Sequence, residues 1–395
     1  MTRPFRRHVL YLPGFDPVPP RRYRELYRKE ATDQARISGH RLKLRPASAG
    51  RYAWFVEGHV EGRDTLATVE VALWSDLVQA SMRRGILGTY GQLLRTFHAY
   101  VATGALWRLM KLRRGPVIAA LYPIVVLLGQ LLLALLVGAV AAWGATAAIG
   151  GGAGLLPGCV LGAAMAGGVL WLGRRLDHRF YAYYLMHDYA FTAQHRGAYP
   201  PALEARLLQF RDRLRTILDE GTDEVLVVGH SSGAYLAISL VADLLRQGPA
   251  GAPALSLLTL GHVVPMAAFL PDAGRLRDDL AFLGRAEGLF WADVTAPGDA
   301  CCFALCDPVA VCGGGGADQR WPLVLSAAFR KTLSPERRAA LRGRWLTLHF
   351  QYLRAFDLPH NYDYFAITAG PLTLAQRFAS RRHSPGRITR PVGAR

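Results

Sequence analysis

Between Arg114 and Arg174 the chain carries no charged side chain, and no other feature limits its folding so strongly. Residues 116–142 hold fifteen Val, Ile or Leu, with Gln130 the most polar member. Roughly 20 mostly apolar residues cross a bilayer as a helix, so this run is expected to span one outright. Pro123 is placed in its first turns, where a missing amide costs little. A second run, residues 155–172, is richer in Gly and Ala, and Gly158, Gly162 and Ala166 recur every fourth residue. Small residues at that spacing let helix backbones approach closely in lipid. The expected element is a helical hairpin with Gly150, Gly151, Gly152, Ala153 and Gly154 in its turn. The alternative is one span followed by a re-entrant or buried segment.

Charge at the flanks orients the hairpin. Arg108, Lys111, Arg113 and Arg114 precede the first run, Arg174, Arg175 and Arg179 follow the second, and the turn has none. Lys and Arg stay on the cytoplasmic side, so a two-span protein with both ends cytoplasmic is expected. The whole chain has 47 Lys and Arg against 29 Asp and Glu, a formal net charge of +18. That excess is dense beside the apolar block, so a membrane surface rather than nucleic acid is the expected partner. Charged residues make up only 19% of the chain and apolar ones 51%, which excludes a disordered polymer.

Outside the block the pattern is α/β. Strands are expected at 8–12, 41–44, 52–60, 65–73, 225–228, 255–260, 290–295 and, last, 346–350. Helical spacing of Leu203, Leu207, Phe210, Leu214, Ile217 and Leu218 follows Pro200 and Pro201, and a helix around 22–35 follows the first strand. Strands alternating with helices imply a mostly parallel sheet. The organisation read from this is residues 1–105 and 179–378 forming one α/β domain, 106–178 the hairpin with its basic flanks, and 379–395 a disordered basic tail. Cys159, Cys301, Cys302, Cys306 and Cys312 are odd in number and irregular in spacing, which suits a reducing compartment and no disulfide framework. Cys302, Cys306 and Cys312 fit no zinc pattern and are expected to be small buried apolar residues.

The sharpest chemical signal is Gly229-His230-Ser231-Ser232-Gly233. It follows the apolar run Glu224 to Val228 and precedes a helical run from Ala234 to Leu245. A serine at the tip of a strand-turn-helix is presented as an exposed nucleophile, and flanking glycines are needed because the turn crowds its neighbours. The helix after Ser231 also points its amino-terminal N–H groups at a developing oxyanion.

Here the chain resembles the α/β-hydrolase superfamily, in particular its lipase- and esterase-like members, over residues 7–15 and roughly 200–370, with the apolar block as an insertion. The resemblance implies an α/β-hydrolase fold, a mostly parallel sheet with helices on both faces. The stretch Leu10 to Phe15, with Pro13 and Gly14, looks like the family's oxyanion loop, which assigns the Phe15 amide as one donor and the Ser232 amide as the second. The family order of nucleophile, acid and base assigns Asp299 as the acid, with Asp293 and Asp307 as alternatives. It assigns His349 as the base, with His360 as its alternative, and sets His383 aside in the tail. The implied activity is a membrane-anchored serine hydrolase that cleaves a carboxylic ester of a lipid or other acyl compound without cofactor or metal. An acyltransferase on the same triad and a non-catalytic membrane scaffold are the other readings, and the oligomeric state is open.

Overall fold

Eight strands form one sheet in the order β2-β3-β4-β1-β5-β6-β7-β8. They are β1 (Phe5–Leu12), β2 (Arg41–Pro46), β3 (Ala53–Val60), β4 (Arg63–Val71), β5 (Glu224–His230), β6 (Ala254–Leu260), β7 (Leu289–Thr295) and β8 (Leu323–Ser326). The computed structural model describes residues 3–47, 52–150, 152–248, 254–360 and 362–392; Gly151 of the expected turn lies outside them. β3 runs antiparallel to β2 and β4, while β4, β1 and β5–β8 pair in parallel. The sheet is therefore α/β and mostly parallel, as its alternating pattern requires.

β5 is buried along its whole length, which is why its sequence reads as an unbroken apolar run rather than an alternation. One face is covered by helices Pro201–Leu218, Gly233–Arg246 and Gly274–Arg285, the other by helix Arg21–Ser38 and the carboxy-terminal helices. At the lower edge of the centre, Arg7 donates to Glu224 at 2.6 Å and to the Gly370 carbonyl at 2.7 Å, so this buried charge is matched.

One expectation fails in the sheet. Residues 346–350 are not the last strand: Trp345–His349 is helical and runs on into a tight turn, Phe350–Leu353. A short apolar run reads equally well as strand or buried helix. The last strand is β8, which lies earlier in the chain. The carboxy-terminal tail is also ordered as far as residue 392. Ser384 and His383 bond to the backbone of Val324 and Ser326, Ile388 bridges to Cys306, and Arg387 pairs with Asp307. The tail thus covers the open edge of β8, which would otherwise present unpaired backbone groups. Residues 393–395 lie outside the described residues.

The apolar block forms two helices, Arg114–Ile149 and Leu155–Arg175, each long and apolar enough to cross a membrane. They pack antiparallel. A Cβ on Gly162 would come within 2.6 Å of the Gly138 carbonyl, one on Gly158 within 2.6 Å of the Ala142 carbonyl, and one on Gly173 within 2.7 Å of the Gln130 side chain. The small-residue stripe is spent within one chain. Pairing begins at Gln130 and Gly173, which leaves about 20 residues of each helix, close to 30 Å, beyond the domain. The first helix starts at Arg114, so Pro123 is its tenth residue rather than part of its first turn. Leu132 is 70% and Leu156 74% exposed, the reverse of a core helix in a water-soluble domain. Because β1–β4 precede the hairpin and β5–β8 follow it in one sheet, both its ends meet the domain on the same side.

Candidate active site

Ser231 sits at the carboxyl end of β5 with φ of 58°, a left-handed conformation that a non-glycine residue adopts at a cost of about 1–3 kcal/mol. Its amide donates to the Leu260 carbonyl at 2.9 Å, which ties the strained turn to β6. A Cβ at Gly229 would lie 2.6 Å from the Gly233 carbonyl, and one at Gly233 2.5 Å from the Pro13 carbonyl. Both glycines of the motif are therefore sterically required. Ser231 is half-buried among fully buried neighbours, and its Oγ makes no hydrogen bond among the described residues. The helix Gly233–Arg246 starts directly behind it.

Asp299 and His349, the residues the resemblance assigns as acid and base, lie against each other. His349 Nδ1 lies 2.8 Å from Asp299 Oδ2. Asp299 also accepts from the Cys301 amide at 2.9 Å and from the Tyr352 hydroxyl at 3.0 Å. Burial pushes its carboxyl up, but His349 and the Cys301 amide outweigh that and hold it below the usual range. An ionised carboxylate only accepts, so Nδ1 carries the proton; in the neutral imidazole that leaves the lone pair on Nε2, the tautomer a general base needs. The competing carboxylates have other partners. Asp293 is fully buried against Thr259 at 2.6 Å, and burial holds it well above the carboxylate range. Asp307 caps a short helix through the Val309 and Ala310 amides and pairs with Arg387. His360 is exposed in a turn, and His383 accepts from Val324.

His230, next to Ser231, reaches the end of the short helix that carries His349. Its Nε2 donates to the His349 carbonyl at 3.0 Å, and the two rings lie 4.8 Å apart. Burial, with His349 beside it, drives His230 down to about 3, so it is neutral. The expected oxyanion donors fare unequally. The Phe15 amide is already engaged, donating to Ser232 Oγ at 2.7 Å, so an oxyanion gains it only after the Ser232 hydroxyl swings aside. The Ser232 amide has no acceptor among the described residues.

Comparison with known protein families, curated proteins and solved structures finds no match. The reading of this site therefore rests on its own geometry.

That geometry adds residues the sequence did not flag. Helix Ala182–Ala193, which returns from the hairpin, places Tyr184 so that its hydroxyl donates to the Phe15 carbonyl, and Phe191 5.6 Å from the Phe15 ring. Asp188, one turn from Tyr184, is half-buried. Burial lifts its carboxyl to about 7, and His349 partly offsets the rise. Its only sequence signal, a lone acid in an aromatic helix, has no meaning until that helix is placed. Cys301, Asp299 and His349 bring three ligand-type atoms within 4.8 Å of one another. Nδ1 of His349 is committed to Asp299, however, and burial with Asp299 and Asp188 nearby pushes the Cys301 thiol well up, a poor setting for a metal or a thiolate nucleophile. Cys302, Cys306 and Cys312 are buried, as expected.

Proposed function

We propose that the protein is a membrane-anchored serine hydrolase of α/β-hydrolase type, acting on a carboxylic ester of a lipid or other acyl compound. The observation that carries this reading is a strained, half-buried Ser231 next to His230, whose ring lies 4.8 Å from the His349 imidazole, which is itself held through Nδ1 by the buried, ionised Asp299. Ser231 Oγ adds to the ester carbonyl while Nε2 of His349 takes its proton. Asp299 stabilises the imidazolium that results. Collapse breaks the bond to the leaving alkoxide, which receives the proton from His349, and leaves an acyl-enzyme. Water then repeats the sequence and frees the acid and Ser231.

The site lies at the foot of the hairpin, which supports a membrane-derived substrate. Arg113 donates to the Ala304 carbonyl at 2.9 Å, a Cβ on Gly115 would stand 3.7 Å from the Ala300 carbonyl, and the Tyr122 ring lies 5.3 Å from Trp345. The first apolar helix thus rests on the acid turn and on the short helix that carries the base. The basic flanks Arg108 to Arg114 and Arg174 to Arg179 favour the cytoplasmic face for this domain. A fluorophosphonate probe tests the enzyme reading: the wild type is labelled and Ser231→Ala is not, with product analysis showing whether water or an alcohol takes the acyl group. Equal labelling of the two proteins sinks the proposal.

A further inference from the structure

Helix Ile86–Ala102 starts at the foot of the second apolar helix, where Gly85, Ile86 and Leu87 share a cleft with Trp171, Arg174 and Arg175. Tyr90 of the same helix donates to the Leu127 carbonyl of the first apolar helix at 2.9 Å, three residues before the two spans begin to pair at Gln130. Its amino-terminal turn therefore stands where the hairpin leaves the domain. A groove of about 710 Å³ begins there, at Arg84, and runs between this helix and the end of helix Ala182–Ala193.

The charge of the groove is one-sided. Arg84 and Arg95 line it, and neither makes an ion pair or hydrogen bond among the described residues. Arg196, at the far end, is matched by Asp272 at 3.2 Å, and no Asp or Glu is among the residues that line the groove. On the floor Gln92 is only 7% exposed, yet its Oε1 has no partner among the described residues. An amide that the fold leaves unheld can turn its NH2 toward an acceptor in the groove.

Helical spacing brings these groups together. Gly88, Gly91, Gln92 and Arg95 recur at three- and four-residue steps on one face. Arg84 lies over Gly88, where an added Cβ would stand 3.2 Å from the Arg84 Cβ, and a Cβ on Gly91 would meet nothing within 4 Å. The face between the two arginines is therefore open. Side chains on a helix lean toward its amino terminus, so Arg95 reaches back toward the hairpin foot. Leu94 and Leu87, 67% and 84% exposed, form an apolar edge that leads to Trp171. Two unmatched guanidinium groups and an unheld amide suit a dianion with several free oxygens, such as a phosphomonoester. The exposed leucines, continuous with the hairpin, favour a lipid over a soluble phosphate ester.

We propose that this groove binds a bilayer lipid whose headgroup ends in a phosphomonoester, with Arg84 and Arg95 on its oxygens and Gln92 donating from the floor. The proposal rests on the hairpin lying in a bilayer and not on the hydrolase reading.

The full chain in phosphatidylcholine vesicles tests it. The vesicles carry phosphatidic acid in one arm and phosphatidylglycerol, at equal surface charge, in the other. After solubilisation and washing, mass spectrometry counts the anionic lipid kept per protein. Phosphatidic acid should be retained about tenfold or more over phosphatidylglycerol. Equal retention overturns the site and leaves attraction to charge alone. Arg84→Gln combined with Arg95→Gln should abolish that preference, and so should Gly91→Glu, which sets a carboxylate in the open space between them. An unchanged preference in either variant overturns the assignment. Should the variants fail to fold, hydrogen exchange on the wild type decides. Phosphatidic acid should slow exchange severalfold in peptides covering residues 84–103, and no slowing there overturns the groove. Glycerol 3-phosphate added to plain phosphatidylcholine vesicles should leave those peptides unchanged. Slowing equal to that by phosphatidic acid overturns the lipid in favour of a soluble phosphate ester.

Discussion

Gly229 and Gly233 at the elbow, and Gly138, Gly158 and Gly162 in the hairpin, all stand where a Cβ would strike another backbone. At the elbow the approach is between β5, the start of the next helix and the Pro13–Gly14 loop, deep in the domain. It holds Ser231 in a left-handed conformation and leaves it half-buried, its Oγ without a hydrogen bond among the described residues. In the hairpin the approach joins two regular helices whose outer surfaces are exposed, and the Thr146 hydroxyl beside Gly158 is turned back onto the Ala142 carbonyl. Close packing of glycine carries no chemistry by itself. What matters is whether the tight place aims a side chain, and at what.

The comparison can be broken at several points. Ser231→Ala should abolish fluorophosphonate labelling outright while circular dichroism stays native, since the alanine keeps the turn and removes only the oxygen. Asp299→Asn and His349→Ala should each cut short-chain ester turnover by about three orders of magnitude or more. If His349→Ala retains near-normal turnover and His360→Ala does not, the base has been misassigned. Gly233→Ala presses a methyl group against the Pro13 carbonyl and should cost about 3 kcal/mol or more in thermal unfolding, with turnover lost alongside. Gly162→Leu should cost less, about 1–2 kcal/mol, because two helices can part where a buried turn cannot, and short-chain turnover should stay within a few-fold. Abolition of turnover by Gly162→Leu as complete as by Gly233→Ala would erase the distinction drawn here.

The smallest expected effect is on pH dependence. Asp188 is protonated below about 7 and anionic above it. The groups that interact with it are His349, Cys301, Tyr100, Tyr184, Tyr189 and Tyr235. Its ionisation adds a negative charge near the imidazolium formed during attack, so kcat/KM should gain a rising inflection near pH 7. Asp188→Asn should lose that one ionisation and fit with one group fewer. Identical profiles would remove Asp188 from the reaction.

Much of the molecule was legible along the chain. The hairpin could be read because span length, missing charge and a four-residue stripe are local properties, and the structure pairs Gly158 and Gly162 as that stripe requires. Seven of the eight strands were placed within a few residues, because the buried parallel ones leave apolar runs and β2, β3 and β4 leave an alternation. The elbow was legible because a strand, a glycine-flanked serine and a helix must adjoin in sequence to adjoin in space.

The rest was decided by distance between residues far apart in the chain. Asp293, Asp299 and Asp307 are the same residue type within fifteen positions, and only the packing of the Trp345–His349 helix brings one of them to 2.8 Å from an imidazole. That helix was misread as a strand because five apolar-rich residues do not fix a period. The capture of the Phe15 amide by Ser232, the docking of the tail along β8 and the placing of Asp188 near the base likewise depend on tertiary contacts. Sequence alone determined which segments could leave water and which serine could stand at a turn, since both follow from neighbours along the chain. Which carboxylate and which imidazole pair was decided only by the fold, because hydrogen bonds and desolvation act over a few ångströms of space, whatever the separation in sequence.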